Sequence, residues 1–217
     1  MLSGNRKPLE ESRIQRKKRA IQSRLIQEAE KLMRQQPVET VTIQQITHAA
    51  DVGHGTFYLH FSSKHDVLLR IVQGIAADID DKLQQYFVDH DDPGFIVCQS
   101  ARLVGRAAQA DPLWRWLIEH SGLPIEDMRH AIGRFATRDF GKGLMNERFK
   151  VPEIKTSSAV ILGGFANGLQ AAFGSQDPEL AIDRTIELLL RSLGIAADEA
   201  ANLAHQPLPD LDMLQSG

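Results

Sequence analysis

Two short helical segments joined by a tight turn constrain the fold of this chain more than any other feature. Residues 42–45 read Thr-Ile-Gln-Gln, a capping box in which Thr42 and Gln45 satisfy free backbone amides at the start of a helix. A turn over residues 51–53 leads to a second short helix, predicted over residues 54–60. Two short helices in this order, preceded by a longer basic helix, are typical of a helix-turn-helix DNA-binding unit.

Apolar residues recur at helical spacing along most of the remaining chain, and no stretch shows the alternation of a strand. We predict a first helix over residues 16–36, ended by Pro37, and a long fourth helix that opens at the capping sequence of residues 63–66. Later helices are predicted over residues 124–147, 156–173 and 178–193, with Gly194 as the cap of the last one. The expected fold class is therefore all-α.

The net charge of -3 conceals a division along the chain. Residues 1–70 hold 12 lysines and arginines against 7 acidic residues, whereas residues 71–217 hold 13 against 21. A basic head on an acidic body favours a head that meets a polyanion. The basic residues at the start of the first helix are suited to follow a DNA backbone or minor groove: Arg13, Arg16, Lys17, Lys18 and Arg19.

Composition and motifs disfavour several other classes of protein. No apolar run approaches the roughly 18 residues of a membrane span, and the N-terminus lacks the apolar segment of a secretion signal. Because Cys98 is the single cysteine, an internal disulfide is excluded and a reducing compartment is indicated. Together with the helix-turn-helix unit, this indicates a cytoplasmic, nucleoid-associated protein. No nucleophile elbow, phosphate loop or carboxylate pair stands out, so we expect that the protein is not an enzyme and has no cofactor.

Three histidines near the second short helix raise the question of a metal site. His54 and His60 are six residues apart, which is about 240° around a helix, and His65 lies beyond the Ser62-Ser63 break. Helical metal sites use histidines four residues apart on one face. We therefore expect no bound metal here.

The segment from residue 42 to residue 68 resembles the signature of the TetR family of bacterial transcriptional regulators. That signature reads Thr-x-x-x-Ile-Ala-x-x-Ala-Gly-Val-Ser-x-Gly-Thr-Leu-Tyr-x-x-Phe-x-x-Lys-x-x-Leu. The residues that match it, the last one only near its position, are Thr42, Ile46, Ala50, Val52, Gly55, Thr56, Phe57, Tyr58, Phe61, Lys64 and Leu68. Thr47, Asp51 and Gly53 stand where the family has Ala, Gly and Ser.

The resemblance implies an N-terminal three-helix DNA-binding head and a larger C-terminal helical body for ligand binding and dimerisation. Residues 1–62 correspond to the head and residues 63–204 to the body, and residues 205–217 are expected to form a flexible tail. The residues expected at base edges or nearby groove atoms are Gln44, His54, Gly55 and Thr56. Those expected at phosphates are Thr42, Tyr58, His60 and Lys64.

The resemblance further implies a homodimer on a palindromic, double-stranded operator, because the family pairs through its last two helices. The predicted interface residues are Ile161, Phe165, Leu169, Ile182, Ile186 and Leu189. Glycines at 163, 164 and 168 offer small surfaces for close approach of the two helices.

A small-molecule effector is expected in the body, as the resemblance implies for the middle helices. The predicted ligand-binding residues are Arg102, Trp114, Trp116, His120, Met128 and Phe135. An apolar ligand with an anionic end, met by Arg102 and Arg106, would then release a repressor from DNA. The alternative is a DNA-associated protein that recruits another protein and has no effector, which would favour a polar, filled interior.

Overall fold

The computed structural model describes residues 12–119 and 138–210, and in these ranges every regular element is helical. A short 3-10 helix covers Val38–Thr40. The α-helices, in chain order, are α1 (Arg13–Gln35), α2 (Ile43–Ala49), α3 (His54–Tyr58), α4 (Lys64–Tyr86), α5 (Pro93–Ala110), α6 (Pro112–Glu119), α7 (residues 138–145), α8 (Ile154–Phe173), α9 (Pro178–Ser192) and α10 (Ala197–Ala204). The predicted all-α fold is confirmed. Among these helices none combines the length and the apolar character needed to span a bilayer.

Backbone contacts divide the chain into two compact units, Met1–Ile71 and Val72–Gly217. We call them the head and the body. The division falls inside α4, whereas the resemblance places it before that helix.

Helices α1 and α2 of the head begin at capping motifs that can be recognised in the sequence. At the start of α2 the Thr42 hydroxyl accepts a hydrogen bond from the backbone N–H of Gln45 at 3.2 Å. The side-chain oxygen of Gln45 accepts one from the backbone N–H of Thr42 at 2.8 Å. This is the predicted capping box, and a similar one between Ser12 and Gln15 starts α1. The apolar residues of the head's core come from all four of its helices: Leu25, Ala29, Met33, Ile46, Ala50, Phe57, Phe61, Val67, Leu68 and Ile71.

The body is organised around the pair formed by α8 and α9, and α9 also packs against α5 and α10. Glycine allows the first pair to approach closely, because a Cβ at Gly168 would collide with the Thr185 side chain and one at Gly164 would lie 3.0 Å from Leu189. Gly194 ends α9 with a φ of 87°, a left-handed conformation that glycine adopts without strain. The predicted close approach at Gly164 and Gly168 and the predicted cap at Gly194 are both present.

The C-terminal segment differs from the sequence-based prediction. Helix α10 was not predicted, because it is short, rich in alanine and begins without a side-chain cap at Ala196. The described residues 205–210, expected as part of a flexible tail, are anchored instead. The Gln206 carbonyl accepts a hydrogen bond from Arg102 at 2.7 Å, and Leu208 packs against the body's core.

Candidate functional site

One face of the head gathers most of the residues that the sequence assigned to DNA. Gln44 on α2 and His54, Gly55 and Tyr58 on α3 are all exposed, while Phe57 on the opposite side of α3 is fully buried. The imidazole of His54 meets the Tyr58 ring edge-on, with ring centroids 5.3 Å apart. A polar, aromatic face on a helix anchored by one buried phenylalanine is suited to the major groove.

Gly55 lies at the open part of this face. A Cβ placed there would meet no protein atom within 4 Å, so the packing of the head does not itself require glycine. Thr56, in contrast, is half-buried. The absence of a side chain at residue 55 therefore leaves space for an external partner to approach the backbone.

The turn between α2 and α3 keeps its geometry although Asp51 stands where the family has glycine. Asp51 adopts a φ of 49°, in the left-handed region, and its carbonyl accepts from the Arg24 guanidinium at 3.2 Å. Thr47, the other larger residue, is buried and donates its hydroxyl to the Gln44 carbonyl at 3.1 Å. The departures from the family pattern are thus absorbed by local hydrogen bonds.

Lys64 does not lie on the exposed face. Its ammonium group donates to the carbonyls of Val38 at 2.8 Å, Glu39 at 3.1 Å and Val41 at 2.8 Å. Because an ammonium has three hydrogens, all of them are used within the head. This geometry corrects the predicted phosphate contact: Lys64 ties the start of α4 to the segment that precedes α2.

His60 lies at the end of α3, half-buried, with its Nδ1 atom buried and without a protein partner. Burial lowers the pKa of His60, and the nearby positive charge of Lys18 lowers it further. Across residues 12–119 and 138–210, no three histidine, cysteine or acidic side chains converge as metal ligands would.

The body contains a cavity of about 490 Å³. Its walls come from α4, α5, α6, α7, α8 and α9 and are largely apolar. The principal apolar residues are Ile79, Leu83, Phe87, Val97, Ala101, Val104, Trp114, Phe140, Leu162, Leu190 and Leu193. A cavity of this size and character is typical of a small-molecule site.

A cluster of charged side chains forms one polar part of the cavity wall. Arg138 donates to both carboxylate oxygens of Asp80, at 2.9 and 3.0 Å, and to both oxygens of Asp139, at 2.9 and 3.1 Å. Gln84 donates to Asp80 as well. The hydrogen bonds to Asp139 and then to Asp80 raise the pKa of Arg138, so its charge is permanent. The sequence analysis missed this cluster, because its members are separated by 58 residues along the chain.

The predicted ligand residues are placed unevenly. Trp114 lines the cavity, while Trp116 is half-buried and is not part of its wall. His120, Met128 and Phe135 lie outside the described residues. Arg102 is a correction: it is 3 % exposed, pairs with Asp183 through two hydrogen bonds at 2.8 and 3.0 Å, and lies away from the cavity.

The predicted dimer residues require a similar correction. Leu169 and Ile182 are fully buried, and their side chains face Gly105 of α5 within the same body. The remaining four line the cavity: Ile161, Phe165, Ile186 and Leu189. The apolar stripes of α8 and α9 therefore line the interior of one copy, and the large apolar side chains that these helices expose are others: Ile154, Val160 and Leu188.

The exposed helix-turn-helix of the head and the apolar cavity of the body together define a class of protein, a regulator that carries a DNA-reading unit and a sensor unit in one chain. Family profiles support this. Residues 25–71 match the profile described as bacterial regulatory proteins, tetR family, and residues 92–206 match that of the tetracyclin repressor-like C-terminal domain. The chain belongs to the TetR family of transcriptional regulators.

Solved structures with the same fold include RolR, which carries resorcinol in one of its crystal structures. That structure is 27% identical to this chain, covers 90% of it, is itself 98% covered, and has a TM-score of 0.81. FadR from Thermus thermophilus, in complex with lauroyl-CoA, is 15% identical over 87% of this chain and 99% of its own, with a TM-score of 0.64, and so supports the fold alone. Among curated proteins, no sequence match was found.

Proposed function

We propose that the protein is a homodimeric repressor that binds a palindromic operator through α2 and α3 and is released when a small, largely apolar ligand occupies the body's cavity. The observation that carries the proposal is the exposed face of Gln44, His54, Gly55 and Tyr58, in a head whose first helix begins with a cluster of basic residues. Its side chains combine base-reading, stacking and phosphate-binding chemistry in the geometry of a major-groove reader. Because DNA is its proposed target, we propose that the protein acts in the cytoplasm.

Dimerisation is supported by the outer face of α8 and α9. Val160 is 60% exposed and Leu188 61%, and Gly163, Asn167 and Ala171 lie on the same outer side of α8 with small or short side chains. Exposed apolar residues on paired helices are typical of a contact with another protein surface. A second copy is the proposed partner, since two readers related by a two-fold axis suit a palindrome.

An effector is supported by the cavity and by the resorcinol complex of RolR. A single aromatic ring with hydroxyl groups is far smaller than 490 Å³, so the cavity has room for such a ring and for further apolar atoms. An apolar cavity of this kind favours the sensor over the protein-recruiting alternative, which requires no such space.

The DNA-binding part is tested by selection of duplexes from a random pool with the full chain. An enriched palindrome is expected, with an affinity that falls steeply with salt, by a slope of about 0.9 per phosphate neutralised. Gln44→Ala should change the preferred bases, at about 1–3 kcal/mol per lost bidentate contact. Glu28→Ala, which removes a half-buried side chain of α1 that pairs with Lys31 of the same helix, is the control and should leave the preference unchanged. A pool without any enriched sequence would contradict sequence-specific regulation.

A further inference from the structure

Arg138, one of the cations of the cavity wall, has little capacity left for a ligand. A guanidinium carries five N–H groups, and four of those of Arg138 are directed at Asp80 and Asp139. A carboxylate ligand needs two parallel donors for a strong pair. Those donors are already occupied by the protein's own carboxylates.

Asp80, in contrast, retains an acceptor. Among the described residues, its Oδ2 atom accepts from Gln84 and from the Nη1 of Arg138, whereas its Oδ1 atom accepts from the Nη2 of Arg138 alone. Each carboxylate oxygen offers about two acceptor sites, so Oδ1 has one open. Asp80 is 7% exposed and lines the cavity, and a donor that reaches it there meets an ionised acceptor with little competing water.

The remaining charged groups at the cavity do not offset this arrangement. Lys142, His90 and Asp91 also border it, but all three are exposed to solvent. Exposed charges interact weakly with a ligand because water screens them. Within the described part of the wall, the charges of this cluster are thus one partly exposed arginine with four of its five N–H groups in use, and two carboxylates of which Asp80 has an open acceptor.

On the basis of the proposed function, we propose that the cavity selects uncharged molecules with a hydroxyl donor on an apolar body, and discriminates against carboxylates of the same shape. A hydroxyl of the phenol class donates to Asp80 while the rest of the molecule lies against Trp114 and the aliphatic wall. A carboxylate at the same position loses its hydration and faces Asp80 without a buried cation free to pair with it among the described residues of the wall, which is unfavourable. The anionic end expected from the sequence is replaced by a neutral donor.

Three probes of nearly equal shape test this selection: ethylbenzene, 4-ethylphenol and 4-ethylbenzoate, titrated into the full chain by calorimetry at pH 7. The phenol should bind at least about tenfold more tightly than the hydrocarbon, as a hydrogen bond to a charged acceptor implies. The benzoate should bind at least about tenfold more weakly than the phenol. This comparison requires no variant.

Asp80→Asn supplies the second test. The variant should bind 4-ethylphenol about tenfold more weakly, bind ethylbenzene as before, and bind 4-ethylbenzoate more tightly, because Arg138 has lost one of its two carboxylates. Asp78→Asn is the matched control, since Asp78 lies on the same helix but is 59% exposed and pairs with Lys82. It should change none of the three affinities.

The outcomes separate this inference from the proposed function. If the benzoate binds to the natural chain as tightly as the phenol, or if Asp80→Asn leaves the order of the probes unchanged, the selection by charge is wrong while the effector site stands. If neither the three probes nor resorcinol binds, the proposal of an effector site in this cavity is itself wrong.

Discussion

Asp51 holds the turn of the helix-turn-helix in a backbone conformation that L-residues rarely adopt. Asp51→Gly should raise the free energy of unfolding by about 0.5–1 kcal/mol, because glycine has no Cβ to strain at positive φ. Asp51→Ala should lower it, since alanine lacks the short polar side chain that makes the left-handed region tolerable. Thermal unfolding of the two variants measures both effects. Equal midpoints for glycine and alanine would show that the turn is not strained.

Lys64 provides a second test at this scale. Lys64→Met should destabilise the protein by about 1–3 kcal/mol, because three hydrogen bonds from one charged group are lost. The slope of DNA affinity against salt should stay unchanged, since no phosphate contact is removed.

Lys31→Met is the control for Lys64, because Lys31 is 64% exposed and pairs only with Glu28 in the same helix. It should cost less than about 0.5 kcal/mol. If the slope of log DNA affinity against log salt concentration were smaller by about 0.9 in Lys64→Met, the phosphate contact predicted from the sequence would be supported.

The contrast between these residues shows what the head's sequence reveals. The exposure of Gln44 and Tyr58 follows from helical periodicity, because Ile46 on α2 and Phe57 on α3 are the buried residues, and so it could be predicted. The partners of Lys64 are backbone carbonyls about 25 residues away, which leave no mark in the identity of side chains. The motif match predicts the residue type at position 64, but it does not predict the hydrogen-bond partners of that residue.

At the scale of elements, the outer face of α8 and α9 carries the proposed dimer contact. Leu188→Asp should convert the protein to a monomer, because a carboxylate cannot be buried against a second copy without a partner. Sedimentation equilibrium at micromolar concentration measures this. Operator affinity should fall with it, since each half-site is then bound independently.

Met145→Asp is the control for the dimer prediction. Met145 is exposed and apolar like Leu188, but it belongs to the end of α7 and not to α8 or α9. This variant should keep the mass of the natural protein. A natural chain that sediments at 24 kDa would remove the dimer altogether.

The helices of the body were easier to predict than their partners. The apolar stripes of α8 and α9 were recognised in the sequence, but they were assigned to a second copy and in the structure line the core and the cavity. Apolar periodicity predicts that one face of a helix is buried, but it does not identify the surface that buries it. The smaller set formed by Val160 and Leu188 carries too weak a pattern to be detected in the presence of those stripes.

At the scale of the molecule, α4 is a single helix that begins with Lys64 in the head and carries Asp80 into the cavity of the body. A ligand and an operator that prefer different states of such a molecule must weaken each other's binding by the same factor. We expect operator DNA to lower the affinity for 4-ethylphenol by about 5–150-fold, and the phenol to lower operator affinity equally.

Trp114 makes this reciprocity measurable, because it lines the cavity and its fluorescence should change when the phenol binds. Titrations with and without operator give one factor, and operator binding by anisotropy with and without phenol gives the other. Duplex DNA of scrambled sequence is the control. Two unequal factors would show that the ligand acts outside a simple two-state exchange.

The long-range hydrogen bonds of Arg102 have a consequence for folding during synthesis. Its guanidinium joins Asp183, 81 residues further on, and the carbonyl of Gln206, 104 residues further on. During synthesis α5 therefore emerges long before the groups that neutralise its buried charge exist. Since Asp183 and Gln206 leave the ribosome well after Arg102, the body should close only once residue 206 has emerged, and a nascent chain stalled before that point should remain sensitive to protease.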